Sequence, residues 1–163
     1  MTVFQRSGGR IIVLSLLMGL VMTILPLPVW AQLLRPEWTA LILIYWCMAL
    51  PQRVGVTVAW TVGLLQDVLQ GFLLGAHALA FGIVAFLTLK LHQRIRVFPL
   101  WQQALSILLL LLTIRLILLW IRGLSGRPVV ADWQYWLPAL TGTVVWPFVF
   151  ICLREIRRRF RVQ

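Results

Sequence analysis

Asp67 is the one acidic residue in the middle of a hydrophobic segment, and small residues stand four apart on either side of it: Gly55, Ala59 and Gly63 before, Gly71 and Gly75 after. A carboxylate at membrane depth costs about 2.5–3.5 kcal/mol on insertion scales, so it persists where it has a partner, a cavity or a task. Small residues at i, i+4 let another helix backbone approach closely. The ladder therefore predicts a contact surface. Because four residues advance about 400°, it drifts by about 40° per step, and two neighbours fit it better than one. Gln66 and Gln70 flank the carboxylate, and these three polar side chains cannot all face lipid. Three tasks are open to Asp67: fastening a chain break near Gly71 by accepting backbone donors of the Phe72–Gly75 turn, binding a partner, or carrying a proton or ligand.

Arg115 is the other isolated charge in an apolar run. With helices starting near Val54 and Trp101, both charges lie at roughly 20 Å of rise from the same side. Equal depth predicts an Asp67–Arg115 ion pair, since opposite charges in a low dielectric compensate what neither bears alone. The alternative is that Arg115 snorkels outward with Arg122.

Enzymatic chemistry finds little support. Gly123-Leu124-Ser125-Gly126 imitates the glycine-serine motif of intramembrane serine proteases, but Arg122 and Arg127 hold it at the membrane surface and neither histidine lies downstream to act as base. A lone Asp67 without a second carboxylate cannot build a magnesium site for lipid phosphotransfer. His77 and His92 have no Cys, His or carboxylate at ligand spacing, and Cys47 and Cys152 read as filler of apolar runs. No metal, no cofactor and no enzyme activity are expected.

The elements that must position these groups follow from composition. At 61% hydrophobic residues and a mean hydropathy of +0.95, the chain is far more apolar than a soluble domain, whose apolar share is about 45–50%. It reads as a polytopic membrane protein forming one helical bundle over residues 1–163, with no polar stretch long enough for a soluble domain. Windows of about 20 apolar residues give six helices, near Ile11–Trp30, Trp38–Leu50, Val54–Gly71, Gly75–Leu91, Leu100–Ile121 and Trp133–Leu153. The second, between Pro36 and Pro51, is short and so tilted, re-entrant or locally thinned around.

The formal charge of +11 suggests nucleic acid at first sight, but the basic residues are spread over loops and termini without aromatic interleaving, so none is expected. Topology explains them. With the N-terminus inside, cytoplasmic segments hold eleven basic residues, from Arg6 and Arg10 to the tail of residues 154–163, and the other side only Arg35, Arg122 and Arg127. Both termini are then cytoplasmic. Trp30, Trp38, Trp120, Trp133 and Trp136 fall at the outer boundary and Trp101 at the inner one, as an aromatic belt requires. The first segment is expected to be an uncleaved anchor rather than a signal peptide, although Val29-Trp30-Ala31 has plausible cleavage spacing. In the tail, Leu153, Ile156 and Phe160 share one helix face, leaving Arg154, Arg157, Arg158 and Arg161 to fan toward anionic headgroups or an acidic cytoplasmic partner.

The run Arg35-Pro36-Glu37-Trp38, with Leu41, Tyr45-Trp46, Ala49-Leu50-Pro51 and Arg53, followed by the Gly63/Asp67/Gly71 helix and Gly75, resembles the rod shape-determining MreD family. So do Trp101-Gln102-Gln103-Ala104, Trp146-Pro147 and the basic tail with Phe160, Val162 and Gln163. The pattern looks like the shorter form found in Gram-negative bacteria. The resemblance implies an inner-membrane protein that associates with the bitopic periplasmic protein MreC, in the machinery that elongates peptidoglycan alongside MreB, RodA and a penicillin-binding transpeptidase. It also implies a fold similar to the substrate-binding subunits of energy-coupling-factor transporters. The family pattern carries over to Asp67 and its flanking glycines, not to Arg115.

Together these readings predict an all-α, non-catalytic scaffold. Its third and fourth helices offer a small-residue groove, formed by Gly63, Asp67, Gly71, Gly75, Ala78 and Gly82, to the single transmembrane helix of MreC. The competing expectation is a membrane subunit for a small molecule or lipid precursor, with Gln66, Asp67, Gln70 and His77 lining a cavity open outward.

Overall fold

The computed structural model describes residues 3–162; the side chain of Arg6, counted in the charge asymmetry, and all of Gln163 lie outside the described residues. Those residues form seven helices and no strand: α1 Val3–Ile24, α2 Val29–Leu33, α3 Trp38–Ala49, α4 Val56–Gln70, α5 Ala76–Val97, α6 Leu100–Leu124 and α7 Trp133–Arg159. By length and composition, α5, α6 and α7 can each cross a membrane, and α1 contributes a shorter apolar stretch, Gly8–Ile24.

Local chemistry sets the boundaries. The first helix begins earlier than expected and ends at Ile24 rather than near Trp30, because Pro26 and Pro28 each disfavour the helical region for the residue before them and lack an N–H to donate. The chain restarts as α2, whose N-cap is Pro28. Gly71 closes α4 in the left-handed region (φ 62°), with Phe72 N–H donating to the Asp67 carbonyl at 2.9 Å and Gly71 N–H to that of Val68 at 3.4 Å. This paired closure satisfies carbonyls that a helix end leaves open. The same closure recurs at Gly126 (φ 69°), where Arg127 N–H reaches the Arg122 carbonyl. The protease-like Gly123–Gly126 run is therefore a helix terminus, and the Ser125 hydroxyl donates to the Ile121 carbonyl at 2.6 Å.

α3 is the short second span of the sequence reading, and it lies at the centre of the bundle. Ten of its twelve residues are buried, and it packs against α1, α5 and α7. Trp46 is wholly enclosed and its indole N–H donates to the Ser15 hydroxyl of α1 at 2.8 Å. Twelve residues rise only about 18 Å, against a hydrocarbon thickness of about 30 Å.

Glycines bring the helices together inside the chain. A Cβ added at Gly63 would lie 2.5 Å from the Ala78 backbone of α5, one at Gly19 3.1 Å from the Thr39 Cα of α3, and one at Gly142 2.8 Å from Leu111 of α6. Such close approach is what supplies helix association where lipid offers no hydrophobic drive.

The two ends of the bundle are distinct. At one, a Cβ on Gly8 would touch Arg53 and Val162, at 2.9 and 3.3 Å, so both chain ends meet the α3–α4 turn. At the opposite end Thr23, Glu37, Gln70, Arg122 and Tyr135 surround a common cavity.

The Gly63 contact is with backbone, which cannot swing aside. Gly63→Ala is expected to cost about 1–3 kcal/mol by overpacking, whereas Gly82→Ala, whose added methyl would meet Val56 at an ordinary 3.8 Å, should be neutral or slightly stabilising. Thermal denaturation of the two purified variants in the same detergent checks this order.

Candidate functional site

The Asp67 carboxylate is fully buried and completes the N-terminus of α5. Gly75 N–H donates to Oδ2 at 2.9 Å, and His77 N–H lies 3.1 Å from both oxygens. The His77 ring Nδ1 is 2.7 Å from Oδ1. Backbone donors at a helix start have no partner of their own, and leaving them unpaired away from water costs several kcal/mol. A carboxylate there meets both the donors and the positive end of the helix dipole. Of the three tasks open from sequence, fastening the turn is what these bonds accomplish. The imidazole is held further by the Phe72 and Phe81 rings, edge-on at 5.2 and 5.7 Å between centroids.

Above the N-terminus of α3 lies a polar cavity of about 170 Å³. Gln66 and Gln70 of α4, His77 of α5, Arg115 and Arg122 of α6 and Tyr135 of α7 face it, with Arg35 and Glu37 from the segment before α3. Arg115 donates to Glu37 Oε1 at 2.9 Å and lies 5.0 Å from the Tyr135 ring centroid. Tyr135 returns its hydroxyl proton to the Arg115 carbonyl at 2.7 Å. Arg122 sits over the Phe72 ring at 4.8 Å. Arg35 donates to the carbonyls of Thr23 and Leu25 at the end of α1, and Thr23 meets Thr39 at 3.1 Å.

The expected Asp67–Arg115 pair is corrected by this geometry. Both residues lie toward the same end, as their depth suggested, but they turn to different neighbours. α4 packs mainly on α5 and directs Asp67 to that helix, while α6 packs on α5 and α7 and its Arg115 meets Glu37. Equal depth says nothing about angular position around the bundle. The reading of His77 as lacking a carboxylate is corrected too. Helices that stop at Gly71 and restart at Gly75 fold positions 67 and 77 onto each other, a signal present in the turn glycines. Glu37 was legible only as part of a family motif.

The groove expected from small residues is corrected in part. Gly63, Ala78 and Gly82 are buried within the chain, with Gly63 against Ala78, and Asp67 is consumed by its own turn. Gly71 and Gly75 have open space around them, but they serve positive φ (62° and 97°) in the turn and not a flat helix face. The ladder is thus two helices and a reversal, not one surface. Of the cavity expected to open outward, Gln66, Gln70 and His77 are lining residues and Asp67 sits behind them. In the tail, Arg154 and Arg157 face a second cavity at the end where the termini meet, and Arg158 and Arg161 are exposed outside it.

Among the described residues, four buried polar atoms of the first cavity and its wall, Gln66 Oε1, Glu37 Oε2, Arg35 Nε and Arg115 Nε, have no hydrogen-bond partner. At about 30 Å³ per water, the space takes a few waters or one small polar group.

A family model for rod shape-determining protein MreD matches residues 5–156. The chain belongs to the MreD family. It is similar to the rod shape-determining protein MreD of Haemophilus influenzae (strain ATCC 51907 / DSM 11121 / KW20 / Rd), with 34% identity over 143 residues, 88% of each chain. No solved structure matches. Membership places the chain among membrane proteins with a role in cell shape, and the matched region spans every residue of the polar cavity.

The bonding pattern makes a sharp energetic distinction. Asp67→Asn should destabilise the protein by about 2–3 kcal/mol, the scale of hydrogen bonds to a charged group. In double-mutant cycles Asp67 with His77 should couple by about 1 kcal/mol or more, while Asp67 with Arg115 adds within about 0.5 kcal/mol. Thermal midpoints of the single and double variants in detergent measure both.

Proposed function

We propose that this chain is a non-catalytic scaffold of the wall-elongation machinery in the bacterial inner membrane. Both termini lie in the cytoplasm, and MreC is its direct partner. MreB, RodA and a penicillin-binding transpeptidase are the wider assembly that the family resemblance implies. The observation that carries this reading is that the charged groups at the end away from the termini are spent on the protein's own architecture. Asp67 closes a turn, Glu37 holds Arg115, and Arg35 caps α1. Beyond that end, broad apolar helix surface remains available for a partner. The charge asymmetry supports the orientation, since the end bearing both termini also carries Arg53, Arg96, Arg154 and Arg157. Trp30, Trp120 and Trp133 stand exposed toward the other end and Trp101 toward this one.

With Gly63 and Ala78 occupied, the surface for the MreC helix shifts to the outer side of α5. Leu79, Ile83 and Phe86 are exposed there at i, i+4 and i+7, beside the open turn of Gly71 and Gly75 with its exposed Leu73 and Leu74. A single apolar helix packs on such a stripe through shape, not polarity.

The polar cavity supports a second reading, a binding subunit for a small molecule or lipid precursor, because the Gln66 amide oxygen is buried beside it without a partner. Saturable heat protection by a ligand, lost in Gln66→Leu, favours that reading.

For the scaffold, Leu79→Ala combined with Ile83→Ala should lower MreC recovery in copurification by about tenfold, near 1.4 kcal/mol. Leu105→Ala with Leu109→Ala, at least as exposed on α6, should leave it unchanged. Equal recovery with both pairs moves the contact elsewhere. Depletion in cells should produce rounding with intact vitamin uptake, whereas loss of uptake with normal shape favours the binding subunit.

A further inference from the structure

A second cavity, of about 250 Å³, lies beneath the C-terminus of α3. Three guanidinium groups face it from two helices: Arg96 in the last turn of α5, and Arg154 and Arg157 of α7. Tyr45, Gln103 and Phe150 form part of its walls. Among the described residues no carboxylate lines it, and Arg157 Nε donates to the Val162 carbonyl at 3.4 Å, which leaves its other N–H groups and both remaining guanidinium groups without an anionic partner there. Among the described residues, the ion pairs are Asp67 with His77 and Glu37 with Arg115, both at the opposite end. The Gln103 amide does not neutralise the arginines, because it is engaged by the Trp146 indole and the Ile95 carbonyl, each at 3.2 Å. Helix C-termini offset such charges by only about 0.3–1 kcal/mol each.

We propose that this pocket binds a phosphate group, that of an anionic lipid headgroup in the leaflet at the basic end. Arginine presents paired N–H donors that match phosphate oxygens, and charge-assisted bonds of this kind are about twice as strong as neutral ones. Met48, Ala49 and Phe150 line the same cavity and give it an apolar part beside the guanidinium groups. This suits a headgroup whose phosphate meets the arginines while its glycerol ester lies along the apolar side chains. The volume is below the roughly 300–1,000 Å³ of pockets that enclose drug-sized ligands, so it takes a phosphate and its linkage and not a nucleotide. Basic pockets between membrane helices at the cytoplasmic side take lipid phosphates by the same chemistry. The phosphate chemistry is independent of the MreC reading; only the assignment to the inner leaflet rests on the proposed orientation.

The geometry also divides the basic tail. Arg154 and Arg157 belong to the pocket, while Arg158 and Arg159 are exposed and do not line it. Two double variants therefore remove equal charge from different places: Arg96→Gln with Arg154→Gln, all exposed positions whose loss leaves the core untouched, and Arg158→Gln with Arg159→Gln.

Thermal midpoints of the full chain in neutral detergent are measured against titrations of phosphatidylglycerol, phosphatidylcholine and inorganic phosphate. Saturable stabilisation by phosphatidylglycerol is expected, with none by phosphatidylcholine. The pocket variant should need about tenfold more lipid for half-maximal protection, and the tail variant within about twofold of the parent. Protection by inorganic phosphate alone keeps the phosphate site and moves its source to the aqueous side. No protection by either, or equal weakening in the two variants, overturns the proposal. Matching midpoints of all three proteins without additive separate lost binding from lost folding.

Discussion

A twelve-residue helix stands at the centre of a bundle whose other long members run to between 15 and 27 residues. At about 1.5 Å per residue α3 falls short of the hydrocarbon by roughly two fifths, and the rest of the architecture follows from that deficit. Its flanks are apolar and fully covered, so it needs no lipid contact. Its ends cannot reach either boundary, so two spaces open above and below it, one against Glu37 and one against Tyr45, Met48 and Ala49. Polar side chains that would be intolerable on the bundle's outer surface are sheltered in these spaces.

The opposite-end space is closed by reciprocal ties. Arg115 reaches α3's entry at Glu37, Tyr135 of α7 grips the Arg115 backbone, and Arg122 rests on Phe72 of the α4–α5 turn. That turn is fastened by Asp67. The α3 entry, the α4–α5 turn, α6 and α7 are thereby linked around the cavity by charged or aromatic contacts, in surroundings where such contacts face little competition from water. Removing one partner leaves the other uncompensated, which is why a pair like Glu37–Arg115 is strongly constraining even where its net contribution to stability is small.

Helix existence and the short second span were readable from apolar windows and prolines, because burial in lipid demands long unbroken runs and α3 visibly lacks one. The carboxylate's need for a partner was readable from its cost. What the chain does not display in one dimension is angular position. Depth along a helix can be counted, but whether Asp67 turns to α5 or α6 depends on how the bundle closes, so Arg115 was assigned to Asp67 although Glu37 claims it. Gly63, Gly71 and Gly75 look alike in sequence, yet one makes a close contact and two supply left-handed turns. The two prolines after Leu25 were a legible break that a hydropathy window averages away.

Charge is distributed between the two spaces unequally, and this bears on what each can do. At the opposite end, arginines meet a carboxylate, ring faces and helix carbonyls, so the protein itself answers them and the space fixes shape. At the terminal end, no carboxylate of the described residues faces Arg96, Arg154 and Arg157: Arg157 Nε donates to the Val162 carbonyl at 3.4 Å, and the other polar neighbours are a phenol and an amide already in use. Arg158 and Arg159 share the exposure of Arg96 and Arg154 but face no cavity, and of the three cavity arginines only Arg157 is half-buried. Holding three like charges around one cavity costs mutual repulsion that solvent and salt screen in part. The arrangement is favourable once an anion enters, and at this depth in a bilayer the abundant anion is the headgroup phosphate.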